Sequence, residues 1–68
     1  MIESVTLRKS GNDEPQLFEV GYVDLERKGQ QNYIWTTKYA TEARMRIFLK
    51  LCGVSALEID SLFEAANL

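Results

Sequence analysis

Few residues have types and spacing that do chemistry. Glu19, Asp24 and Glu26 lie in one stretch of β-formers. Glu19 and Asp24 have opposite parity in a regular strand. A bulge between them would bring both carboxylates to one face, the pairing that glycoside hydrolysis uses. Solvated charges on the open side of a sheet are the favoured expectation, because so short a chain has no room for a desolvated cleft. Cys52 is a nucleophile type, but it falls at a helix C-terminus, where the dipole disfavours a thiolate. A buried thiol is expected there. The sequence has no histidine, which removes the commonest general base and the commonest metal ligand. Asn12, Asp13 and Glu14 are adjacent oxygen ligands without the spacing of a calcium loop. Gly11, Gly21, Gly29 and Gly53 lie too far apart to cradle a phosphate. No catalytic residue, cofactor site or metal site is expected.

Surface contacts are the richer prospect. Tyr33, Trp35, Thr37 and Tyr39 share one parity, and Ile34 and Thr36 share the other. With Ile34 turned inward, Tyr33 and Trp35 would stand on the open face of the sheet, rimmed by Arg8, Lys9, Arg27, Lys28 and Lys38. Aromatics with basic neighbours stack single-stranded bases. The favoured expectation is the reverse, with Trp35 anchoring a small core. In the next segment Ala43, Met45, Ile47, Phe48, Leu49, Leu51 and Cys52 cover well over half of a helical wheel. An amphipathic helix needs an apolar stripe of only about 100° or somewhat more. Met45 and Leu49 lie at the far edge of that arc and are expected to be exposed. Arg44 interrupts the arc between Leu51 and Phe48, as a snorkelling side chain or as a charged interface contact. The candidate partner-binding residues are thus Tyr33, Trp35, Arg44, Met45 and Leu49.

These residues need elements to hold them. Residues 2–9 alternate as a half-buried strand. Residues 10–15 gather turn formers into a loop. Residues 17–27 form a second strand whose pattern slips at Gly21, which predicts a bulge or bend there. Residues 28–31 connect it to a third strand over 32–39. The period then becomes helical. Thr41 is placed to cap a helix over 42–52, which Gly53 stops. Ser55 and Glu58 form a capping box, with Val54 and Ile59 as a hydrophobic staple, and they open a second helix over 56–67. That helix carries the stripe Ile59, Leu62, Phe63 and Ala66. The fold class is α+β: a three-stranded antiparallel β-meander followed by a C-terminal helical hairpin packed on one face, β-β-β-α-α. The expected core is Val5, Leu7, Val20, Ile34 or Trp35, Ile47, Phe48, Leu51, Ile59, Leu62 and Phe63.

Composition bounds the function. With 68 residues the chain is one domain, residues 1–68, too small for a cofactor-binding unit of the Rossmann type. A net charge of −2 gives no general pull toward nucleic acid or anionic lipid. The segment 38–50 holds four bases and one acid, a charge of +3, while 55–68 holds three acids and no base, a charge of −3. Two helices joined by Gly53 and Val54 would bring these charges together. One cysteine cannot form an internal disulfide, and no apolar run approaches the roughly 20 residues of a membrane span. A cytoplasmic protein without membrane contact is expected.

The run Thr37 to Ala43, Thr-x-x-Ala-Thr-Glu-Ala, follows the third strand and leads into a helix. Over Tyr33 to about Leu51 this resembles the AP2-type and integrase arm-binding domains, which read DNA with a sheet. The resemblance implies DNA contact through the strands, though the strongly basic sheet of those families is not matched. The leading expectation is a small non-catalytic protein-interaction module, accessory or regulatory, with another protein as partner. The alternative is a single-stranded nucleic-acid or DNA-binding module using Tyr33, Trp35 and the surrounding Arg and Lys. A small core without disulfide or metal also predicts self-association as a homodimer, through Met45 and Leu49 or, as the second choice, through the open edge of the third strand.

Overall fold

The computed structural model describes residues 2–24 and 35–68. Strands β1 (Ile2–Ser10), β2 (Leu17–Asp24) and β3 (Trp35–Thr41) precede helices α1 (Glu42–Leu51) and α2 (Ala56–Ala66). The strands form one antiparallel sheet in the order β1-β2-β3. Both helices pack on one face, with α2 against β1 and α1 against β3 and β2. The β-β-β-α-α meander with a helical hairpin is therefore the fold. The expected strand residues 25–27 and 32–34, the connection 28–31, and with them Tyr33, Ile34, Arg27 and Lys28, lie outside the described residues.

Register settles which face each strand residue takes. Leu17↔Thr41 through Val23↔Trp35 pair without interruption, so β2 alternates regularly opposite β3. The register shift lies instead in β1, where Glu3 pairs Val23 and Thr6 pairs Gly21. One extra residue sits in β1 there, and Ser4 takes a φ of 56° to accommodate it. The bulge expected at Gly21 thus belongs to the neighbouring strand. Gly21 has a different reason to lack a side chain. A Cβ there would come 2.5 Å from Cζ2 of Trp35, whose indole lies across the glycine.

The core is Phe18, Val20, Met45, Leu49, Val54, Ile59 and Phe63. The Phe18 and Phe63 rings meet edge to face with centroids 4.9 Å apart, linking sheet to α2. Tyr22 and Phe48 make the equivalent link to α1 at 5.5 Å. Val5, Leu7, Phe48 and Leu62 pack around this cluster rather than at its centre.

The helix ends obey local chemistry. Gly53 has φ 92°, its N–H donates to the Lys50 carbonyl, and the Val54 N–H donates to the Leu49 carbonyl. That is a Schellman stop, which turns Val54 inward toward Leu49. Val54 and Ile59 are both buried around Ser55, whose Oγ accepts from the Glu58 N–H at 3.2 Å. The cap and staple of α2 are in place. Thr41 occupies the N-cap position of α1, but its hydroxyl makes no capping bond.

Arg46 holds the two helices together. It donates to Asp60 Oδ1 at 2.8 Å and to Glu42 Oε2 at 3.1 Å, and its guanidinium lies 4.6 Å from the Phe63 ring centroid. These hydrogen bonds, Asp60 first and Glu42 second, push its pKa above the ordinary value. The opposite charges of the two helices meet through this one side chain.

Candidate functional site

Three of the expected contact residues change place or meaning. Met45 and Leu49 are fully buried, each with 0% exposure. They cannot form the dimer surface expected of them. The opposite edge of the same arc faces outward: Ile47 is 62% and Leu51 83% exposed. Neither belongs to the core assigned to it from sequence. Arg44 separates the two halves. At about 100° per residue, Phe48, Cys52, Met45 and Leu49 form an unbroken apolar sector on one side of it, and Ala43, Ile47 and Leu51 form a shorter one on the other. The sheet and α2 take the unbroken sector.

Trp35 is the third. It pairs Val23 on the face away from the helices, so it does not anchor the core. Its ring lies on Gly21 and is 52% exposed, with Tyr39 55% exposed on the same face. Arg8 and Glu19 complete this face, joined by contacts of 3.1 and 3.0 Å from one guanidinium nitrogen to the two carboxylate oxygens. Tyr33, the partner residue expected beside Trp35, lies outside the described residues.

The catalytic prospects lose their geometry. Because β2 is regular, Glu19 and Asp24 fall on opposite faces, and Glu19 is held by Arg8. Cys52 is half-buried at the C-cap of α1. Among the described residues no three of Asp, Glu and Cys converge on a common point. No helix among them is long and apolar enough to cross a membrane.

What remains is a depression of about 440 Å³ between β3 and the outer side of α1. Lys38, Tyr39, Arg44, Ile47, Phe48 and Leu51 line it. Its floor is Phe48, with the Lys38 ammonium 4.7 Å from the ring centroid. Its outer wall is the exposed pair Ile47 and Leu51, one helical turn apart. Chain geometry explains the groove. Thr41 ends β3 and Glu42 starts α1 with no linker, so the helix starts directly at the end of the outer described strand. An apolar side chain on α1's outer side then has β3 on one flank and no described residue above it. Sequence reasoning missed Ile47 and Leu51 as surface residues. The interruption by Arg44 was the signal that marked them. No family model, curated protein or solved structure matches this chain.

Proposed function

We propose that this chain is a non-catalytic protein-interaction module whose contact surface is the groove between β3 and α1. The observation that carries this reading is the exposure of Ile47 and Leu51, at 62% and 83%, beside an open apolar depression rimmed by cations. A small domain gains nothing in stability from exposed Ile and Leu on adjacent turns. Such a patch rimmed by polar residues is characteristic of a docking surface. Apolar anchors at its centre would supply most of the affinity and the charged rim its selectivity.

A photoreactive benzoylphenylalanine replacing Leu51 tests this in an extract of the native host. The control carries the same group in place of Leu57, which is equally exposed on α2. Support is a cross-linked species formed at position 51, absent at position 57, and lost when Ile47→Asp is added. The same species at both positions, or none at 51, overturns the reading.

The nucleic-acid alternative draws on Trp35 and Tyr39, which do stand on the open face. The one cation paired across that described face, Arg8, is already held by Glu19. Binding there predicts that an oligonucleotide quenches Trp35, with affinity falling steeply in salt.

A further inference from the structure

The charge around the groove states what kind of protein fits it. We infer that its occupant is a short acidic amphipathic segment of another protein, presenting apolar side chains to Ile47, Phe48 and Leu51 and carboxylates to Arg44 and Lys38. This deepens the docking reading above and rests on it.

The chain carries a net charge of −2, so a positive rim is a local reversal of the overall sign. Among the described residues no acidic one lines the depression, whereas Lys38 and Arg44 both do. Among the described residues Arg44 and Lys38 make no ion pair, and the Lys38 ammonium lies over the Phe48 ring. Lys50 flanks the Ile47–Leu51 stripe on its other side, also without an ion pair among them. The nearby acids Glu42 and Asp60 are engaged by Arg46 on another side of α1. The groove thus offers, among the described residues, cations without an ion pair on either side of two apolar anchors. That pattern selects carboxylates flanking apolar residues.

A second copy of this chain fits less well. Packing the groove on itself about a two-fold axis would set Lys38, Arg44 and Lys50 against their own images. The acidic helix α2 is the other internal candidate. Among the described residues α2 presents one large exposed apolar side chain, Leu57, and Leu68 lies beyond its end, whereas α1 presents Ile47 and Leu51 about 6 Å apart on adjacent turns.

The test uses the full chain, isotopically labelled for NMR, and two fluorescent synthetic peptides of about 14 residues, enough for roughly four helical turns. One has leucines spaced i, i+3, i+4 among Glu and Asp. The other has Lys at every acidic position. The acidic peptide is expected to bind and to shift the amide signals of Lys38, Arg44, Ile47 and Leu51. The lysine peptide is expected not to. Arg44→Glu and Leu51→Ala each weaken the acidic peptide about fivefold or more, the change expected when a contributing interface side chain is removed. Both positions are exposed, and circular dichroism checks that each variant is folded. Equal binding of both peptides, or binding that leaves the groove signals unmoved, overturns the inference. So does a dT12 oligonucleotide that shifts the same signals, or concentration-dependent shifts of the free protein at both the groove and α2. If Leu51 cross-links a partner in the extract yet the acidic peptide does not bind, the docking surface stands and the acidic occupant fails.

Discussion

Leu49 and Leu51 offer a direct test of the phase of α1. They are two residues apart on the same helix, yet Leu49 is 0% exposed and Leu51 is 83% exposed. Full truncation of a buried leucine to alanine costs about 2–5 kcal/mol. A single core in so small a chain rarely supplies more than about 3–5 kcal/mol in total. Leu49→Ala would therefore leave little native protein to measure. Leu→Val is the better perturbation. It removes one carbon and moves the branch to Cβ, which in a core costs about 1 kcal/mol or somewhat more, while at an exposed site the change stays within about 0.5 kcal/mol. Valine also lowers helix propensity slightly, by a similar amount at both positions, so the difference between the two variants isolates burial.

Urea denaturation followed by circular dichroism at 222 nm reads the result. With a slope near 1 kcal/mol/M for a chain of this size, Leu49→Val moves the midpoint down by about 1 M. Leu51→Val leaves it within about half that. In thermal melts 1 kcal/mol corresponds to about 4–8 °C. The pair Met45→Leu and Ile47→Leu is a second check in the same direction, since Met45 is fully buried and Ile47 exposed. A larger loss at Leu51 than at Leu49 would refute the helix phase. The groove, whose outer wall is Ile47 and Leu51, would fall with it.

Three further outcomes follow from the sheet and the helix pair. Gly21→Ala forces the Trp35 indole off the sheet, because its Cβ would stand 2.5 Å from the ring; fluorescence should move to the red, with a loss of about 1–2 kcal/mol from uncovered indole surface. An unchanged spectrum would contradict that packing. Ser4 holds a φ of 56° at the β1 bulge, so Ser4→Gly should be neutral or stabilising by up to about 1 kcal/mol, whereas Ser4→Val should cost about 1–2 kcal/mol, both read as Tm. For Arg46 the order of Tm should be parent, then Arg46→Met, then Arg46→Ala, because methionine keeps an apolar stem near Phe63 while losing the ion pairs to Glu42 and Asp60 and the charge over the Phe63 ring. The gap between parent and Arg46→Met should narrow in about 1 M salt, and a gap indifferent to salt would show that the ion pairs do not contribute.

How far the sequence reveals this molecule depends on how local the governing interaction is. The order β-β-β-α-α is legible because each element announces itself within a few residues. Ser55 caps α2 by accepting from the Glu58 N–H, Val54 and Ile59 staple it, and Gly53 stops α1; all three signals act over at most five residues. The faces of the strands are less legible. An extra residue in β1 and an extra residue in β2 produce the same kind of slip in apparent pattern. The glycine at position 21 drew the bulge to the wrong strand. Its actual reason, the approach of Trp35 from the neighbouring strand, lies 14 residues away in sequence. A glycine within a strand signals either event, and only the register decides between them.

The helix phase of α1 was recoverable, and the reason bears on the functional reading. A Schellman stop does more than end a helix: it packs the residue after the glycine against the fourth residue before it. Here those residues are Val54 and Leu49. Val54 is also the staple that must pack on Ile59 of α2. Once Gly53 is taken as the stop, Leu49 is therefore committed to the space between the helices, and Met45, one turn earlier, goes with it. Both are indeed fully buried. The apolar arc is too wide for one neighbour, so fixing its Leu49 edge inside leaves the Ile47 and Leu51 edge outside. Arg44 lies at the boundary and keeps its charge in solvent. The surplus apolar surface first assigned to Met45 and Leu49 does exist, but on the other side of Arg44, beside Lys38 and the edge of β3. Its placement next to cations that make no ion pair among the described residues is the ground on which the proposed acidic partner rests.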